Sequence, residues 1–223
     1  TFSFGVASAF LTFTGTSAVM FLTPFYLQRV LGYGPREAGL VVVPGAVCMA
    51  LVGVISGRLS DRYGWRMFTM GGLGLIVCAL FILSRLTLTS SIFLVIPGLI
   101  LQSTGMGIFY SPNISSVLSA VTREKYGVVS AFMNLIRNAG NVTSVAIATA
   151  IVTATMATMG FEPSLDAVQP GGAAGVASAF TSGLRIAYLT MMGLLALALA
   201  ISAFKFQPAG QNTTESKLEL EPH

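Results

Sequence analysis

The chain has 223 residues, 54% hydrophobic and 9% charged, with a mean hydropathy of +0.80, a formal net charge of +4 and a pI near 9.3. That balance is not one of a soluble domain, and the apolar residues gather in stretches long enough to cross about 30 Å of hydrocarbon, so an integral membrane protein is predicted. Runs that are apolar all round, such as residues 40–55, exclude the alternation of a β-barrel, and basic residues standing singly or in short groups exclude a nucleic-acid surface.

Apolar runs and breakers mark spans at about residues 4–29, 38–57, 67–85, 91–118, 127–156 and 178–204, which predicts an all-α membrane protein with a transmembrane unit over 1–206 and a polar tail over 207–223. The chain opens at Thr1 without an initiator Met, already hydrophobic, with no basic leader or cleavage site, and is expected to be a piece of a longer protein. In the first span Ser8, Thr12 and Thr16 form a polar stripe. It either lines a route or bonds its own backbone carbonyls. The second and third spans hold Cys48 and Cys78, without ligand spacing, which read as small core residues.

Between these two spans the charge concentrates in Gly57-Arg58-Leu59-Ser60-Asp61-Arg62-Tyr63-Gly64-Trp65-Arg66. Span four carries Gln102, Gly105, Phe109 and Asn113 on one helical face, either as the lining of a cavity or as helix-packing devices. Span five carries Asn134, Arg137, Asn138 and Asn141 at i, i+3, i+4, i+7. An arginine at the centre of a span costs about 2.5–3.5 kcal/mol on insertion scales, so Arg137 is expected to face protein or water. Pro24, Pro44, Pro97 and Pro112 read as helix kinks, and the sequons at Asn113 and Asn141 fall in or at the end of spans, where glycosylation cannot occur. Residues 160–175 form a Pro/Gly loop before the last span, and the tail reads as disordered.

With the first linker outside, Arg58, Arg62, Arg66, Arg123, Lys125, Lys205 and Lys217 lie inside and Arg29, Arg36 and Arg85 outside, as the positive-inside rule prefers. That places the Gly57–Arg66 segment and the carboxy terminus in the cytoplasm of a cell (inner) membrane protein.

The stretch Gly57 to Arg66 resembles the loop signature of the major facilitator superfamily, matching it at Gly57, Leu59, Asp61, Arg62, Gly64 and Arg66. Residues 21–46 and 126–148 are similar to two helices of that superfamily's fourteen-helix drug:proton antiporter branch. The resemblance implies the carboxy-terminal half-bundle of a transporter that exports hydrophobic compounds by alternating access, with the loop as a conformational latch. Its implied partners are the amino-terminal helices of the same transporter, the bilayer, a small hydrophobic substrate and protons. The rival reading is a non-transporting subunit or truncated remnant that only packs against other helices.

Every acidic residue falls in a loop, a span end or the tail, so proton coupling attaches to no residue of this sequence. An enzyme is not expected: His223 is the single histidine, and no phosphate-binding glycine loop, metal set or cofactor motif appears. Thr12, Thr16, Gln102, Phe109, Asn113, Asn134, Arg137, Asn138 and Asn141 are the candidate route-lining residues.

Overall fold

A computed structural model describes residues 2–203, apart from the side chains of Phe2, Phe4, Asp61 and Ala203. The helices are α1 (Phe2–Arg29), α2 (Pro35–Tyr63), α3 (Trp65–Leu83), α4 (Ile92–Leu118), α5 (Tyr126–Thr158) and α6 (Ala174–Ala203), with no strand among the described residues. All six are long and apolar enough to cross a bilayer. The polar tail lies outside the described residues.

Local chemistry sets several of the helix ends. Pro35 opens α2 with its fixed φ, and the Glu37 carboxylate accepts the Gly34 N–H at 3.0 Å. Ser91 caps α4 by accepting the Phe93 N–H. The segment read from sequence as a charged loop is mostly helix: α2 runs on through Arg58 and Arg62 to Tyr63, and Gly64 alone separates it from α3. Arginine is a good helix former and both guanidinium groups are exposed, so nothing stops the helix at the end of its apolar stretch. What stops it is Gly64, at φ 91° and ψ 139°, a region that essentially only glycine enters.

The packing has an internal symmetry. α1 packs on α5 and α6, α4 packs on α2 and α3, and α3 joins α6 between the two groups. Exchanging α1–α3 with α4–α6 carries these contacts onto one another, as expected of a three-plus-three repeat, except that α5 also packs on α6 while α2 barely touches α3. Lipid offers no hydrophobic drive for helix association, so close backbone approach decides these contacts. A Cβ on Gly72 of α3 would lie 2.6 Å from the Gly105 carbonyl of α4, and one on Gly105 would lie 2.7 Å from the Gly72 carbonyl. Gly107 presses likewise on the Met49 carbonyl of α2, and Gly140 of α5 on Phe13 of α1.

Polar pins supplement this packing. Ser144 accepts the Ala18 N–H at 2.8 Å between α5 and α1, and the Thr23 and Tyr188 hydroxyls pair at 2.7 Å between α1 and α6. Burial is uneven: 61% of the apolar window of α1 is buried, against 17% for α2 and 28% for α5. Both cysteines are free thiols; Cys78 is exposed on α3 rather than a core residue.

Candidate functional site

Cavities lie along the face where α1, α2, α4 and α5 meet. One, about 390 Å³, is a cleft lined by Met20 of α1, Met49, Gly53 and Val54 of α2, and Ser103, Gly107 and Tyr110 of α4. It is apolar, with methionines that can repack around varied shapes. A second cavity of about 170 Å³ shares Met20, Met49 and Ser103 with the cleft and adds Thr16, Ser17, Gln102 and Asn141. A third, about 70 Å³, lies between Phe13, Tyr110, Asn113, Met133 and Asn134. Shared residues make the three a continuous chain, greasy at α2 and polar toward α5.

The stripe on α5 contributes three of its four members to this face. Asn141 accepts a hydrogen bond from the Ser17 hydroxyl of α1 and borders the second cavity. Asn134 borders the third. Arg137 donates from Nη1 to the Tyr110 hydroxyl of α4 at 3.4 Å, and the Tyr110 ring is held edge-on by Phe13 at 6.0 Å between centroids. Asn138 is exposed beside them.

The face on α4 divides. Gln102 is buried and borders the second cavity, where its Oε1 accepts a long hydrogen bond from Ser103. Asn113 is buried beside the third cavity, and its Oδ1 has no hydrogen-bond partner. Phe109 is wholly buried with its backbone against Gly72 of α3, and it borders none of these cavities; the same holds for Gly105. Helical spacing put the four on one face, but that face runs from the cavities into the α3–α4 seam.

On α1, Thr12 donates to the Ser8 carbonyl at 2.7 Å and Thr16 to the Thr12 carbonyl at 2.8 Å. The stripe bonds its own backbone, and Thr16 alone of these also borders a described cavity.

No described residue of the charged motif lines these cavities, although Gly57 packs on Ser111 of the cleft lining. Gly57 meets Ser111 of α4 closely, Leu59 and Arg62 are exposed, Arg62 lies 5.7 Å from the Tyr63 ring centre, and Gly64 makes the turn into Arg66. The Asp61 side chain is outside the described residues. A further charge inside an apolar helix, outside the sequence-predicted set, is Arg185, eleven residues into α6 and exposed. The signal that could have found it is the one used for Arg137, an arginine inside an apolar run, and Thr181, Ser182 and Tyr188 stand beside it at helical spacing.

The sequence profile of the Major Facilitator Superfamily matches residues 2–145. The chain belongs to the Major Facilitator Superfamily. It is therefore an integral membrane protein of a transporter family, with six helices able to span the bilayer. It is 35% identical over 121 residues to the riboflavin transporter RibZ of Clostridioides difficile, covering 54% of this chain and 26% of that protein. It is 27% identical over 203 residues to the lincomycin resistance protein LmrB of Listeria monocytogenes, covering 91% and 42%, and 28% identical over 169 residues to the multidrug resistance protein Stp of Mycobacterium tuberculosis, covering 76% and 31%.

A bacterial homologue of the human lysosomal transporter Spinster, solved in an inward-facing and occupied conformation, has the same fold. Its TM-score is 0.68 at 21% identity, covering 90% of this chain and 47% of that one. The matched region thus spans less than half the length of each of these proteins.

Proposed function

We propose that the chain is the carboxy-terminal half-bundle of a secondary transporter of the fourteen-helix drug:proton antiporter branch, exporting small hydrophobic compounds by alternating access. The observation that carries this reading is the pair of exposed apolar stripes flanking the cavity chain. On α2 they are Leu40, Val43, Val47, Leu51 and Val54, and on α5 Val128, Phe132, Leu135 and Val142. Spacings of three, four and, between Leu135 and Val142, seven put each set on one side of its helix, the arrangement that seats a facing helix. The amino-terminal helices of the same transporter would cover them, closing the cleft into a central site.

The relatives' names support the substrate class, since two are resistance proteins. The described acidic residues, Glu37, Glu124, Glu162 and Asp166, sit at helix ends or in connections, so the proton-carrying carboxylate would belong to the other half. The Gly57–Arg66 segment and the tail would face the cytoplasm, with the motif latching one conformation.

Everted inner-membrane vesicles containing the full-length transporter test the reading. Uptake of a neutral lipophilic probe, phenylnaphthylamine, is expected to follow an imposed proton gradient and to collapse with a protonophore. Uptake no greater than in vesicles lacking the protein would sink it.

A further inference from the structure

Arg137 donates to Tyr110 behind the cavity lining, with most of its hydrogen-bonding capacity unused. Its guanidinium carries five N–H donors, and Tyr110 takes one of them at 3.4 Å. No carboxylate among the described residues forms an ion pair with it; the described acids lie at helix ends or in connections. Arg137 lines neither cavity itself; its link to them runs through Tyr110, which borders both the 390 Å³ cleft and the 70 Å³ cavity. Around it the acceptor and donor groups are amides: Asn134 one turn before, Asn138 exposed beside it, and Asn141 one turn beyond. Arg185 is on α6, which contributes no residue to these cavities. Among the described side chains, the three cavities thus have Arg137 one residue behind their lining and no acid on it, while a further cavity of about 300 Å³ that shares Met20 is lined by Arg29 at the end of α1.

A fixed cation in a low-dielectric cleft repels a cationic ligand and forms strong, short, charge-assisted bonds with an anionic one. Tyr110, pinned by Phe13, holds the guanidinium at the rim of the apolar lobe. A ligand whose apolar body fills the Met20–Met49–Val54 cleft thus places its polar end within reach of Arg137. We propose that this face selects amphipathic compounds bearing an anionic end, with Arg137 as the anion-recognition residue and Tyr110 as the residue that positions it. The proposal rests on the transport reading and narrows it, assigning selectivity against cations to this half.

Two probes sharing one aromatic body separate the inference from the transport reading. Anilinonaphthalene sulfonate is anionic and phenylnaphthylamine is its neutral counterpart; ethidium supplies a cation. Binding of each is measured by fluorescence to the full-length transporter in nanodiscs, with protein-free nanodiscs subtracted. The wild type is expected to bind the sulfonate about tenfold more tightly than the neutral probe, a difference of about 1.4 kcal/mol. Arg137→Ala should abolish that preference, its fold being checked by a monodisperse elution profile and a thermal midpoint close to wild type; Arg137→Lys should keep part of the preference.

Equal binding of the two aromatic probes by the wild type, or a preference that survives in Arg137→Ala, overturns the proposal. So does a wild type without preference whose Arg137→Ala variant gains ethidium affinity, because that pattern assigns Arg137 to a carboxylate of the remaining helices. Failure of the wild type to bind or transport even the neutral probe removes the transport reading, and this proposal with it.

Discussion

Gly72 and Gly105 show at single-residue scale what holds the bundle together. Each occupies the space a side chain would need on the other, with backbone atoms of the opposing helix at 2.6 and 2.7 Å from the missing Cβ. Interhelical hydrogen bonds in membranes average about 0.6 kcal/mol, whereas forcing extra atoms into a packed seam costs about 1–3 kcal/mol. Close packing should therefore outweigh the polar pins. Gly105→Val is expected to lower the thermal stability of the detergent-solubilised protein by about 1–3 kcal/mol, and Ser144→Ala, which removes the bond from the Ala18 amide, by under about 1 kcal/mol. Gly74→Ala is the control, since nothing lies within 4 Å of its missing Cβ, and it should not destabilise. A Gly105→Val protein as stable as the control would refute the close-approach account.

The same scale shows why part of the site was hidden from the sequence. Arg137 was legible because an arginine inside an apolar run is costly and its neighbours repeat at helical spacing. Phe109 was misleading because α4 is apolar nearly all round, so spacing says which residues share a face but not whether that face meets a cavity or α3. The unpartnered Oδ1 of Asn113 has no sequence signature at all.

At the scale of the element, the membrane helices were legible because each needs about 20 apolar residues and satisfies its own backbone. The end of α2 was not. Charge marks where a span leaves hydrocarbon, but a helix does not have to stop at that surface, and α2 continues to Tyr63. The seven residues of the segment before Gly64 therefore continue α2 for about two turns, and the Gly57–Ser111 contact holds that backbone against α4.

Gly64→Ala is expected to cost about 1–3 kcal/mol by forcing a Cβ into its backbone region. Gly71→Ala, inside α3 with open space around it, should be neutral. Thermal unfolding of the two variants decides this, and equal midpoints would remove the strain argument. Asp61→Asn, on the latch proposal, should reach the membrane at wild-type levels yet lose transport in the full-length protein, because topology follows the arginines. Unchanged transport would reduce the motif to a topology signal.

For the whole molecule, the two least-buried helices are related by the internal symmetry: exchanging the repeats carries α2 onto α5. Their apolar stripes therefore flank the cavity chain from both sides, while α3 and α6 close the opposite side. Lipid and protein are equally apolar neighbours, so what distinguishes a docking stripe from a lipid-facing one is tolerance of shape rather than of hydrophobicity. A tryptophan projecting into acyl chains displaces fluid, whereas one projecting into a facing helix must push it away.

Leu51→Trp on α2 and Val142→Trp on α5, both more than 60% exposed, are expected to cut transport by the full-length protein about tenfold while inserting normally. Ile186→Trp and Leu197→Trp on α6, exposed at 46% and 51%, should remain within about twofold of wild type. Vesicle transport, normalised to the amount of inserted protein, reads all four. If α6 proves as sensitive as α2 and α5, or if all four are tolerated, the stripes are lipid-facing and the remaining helices must dock elsewhere.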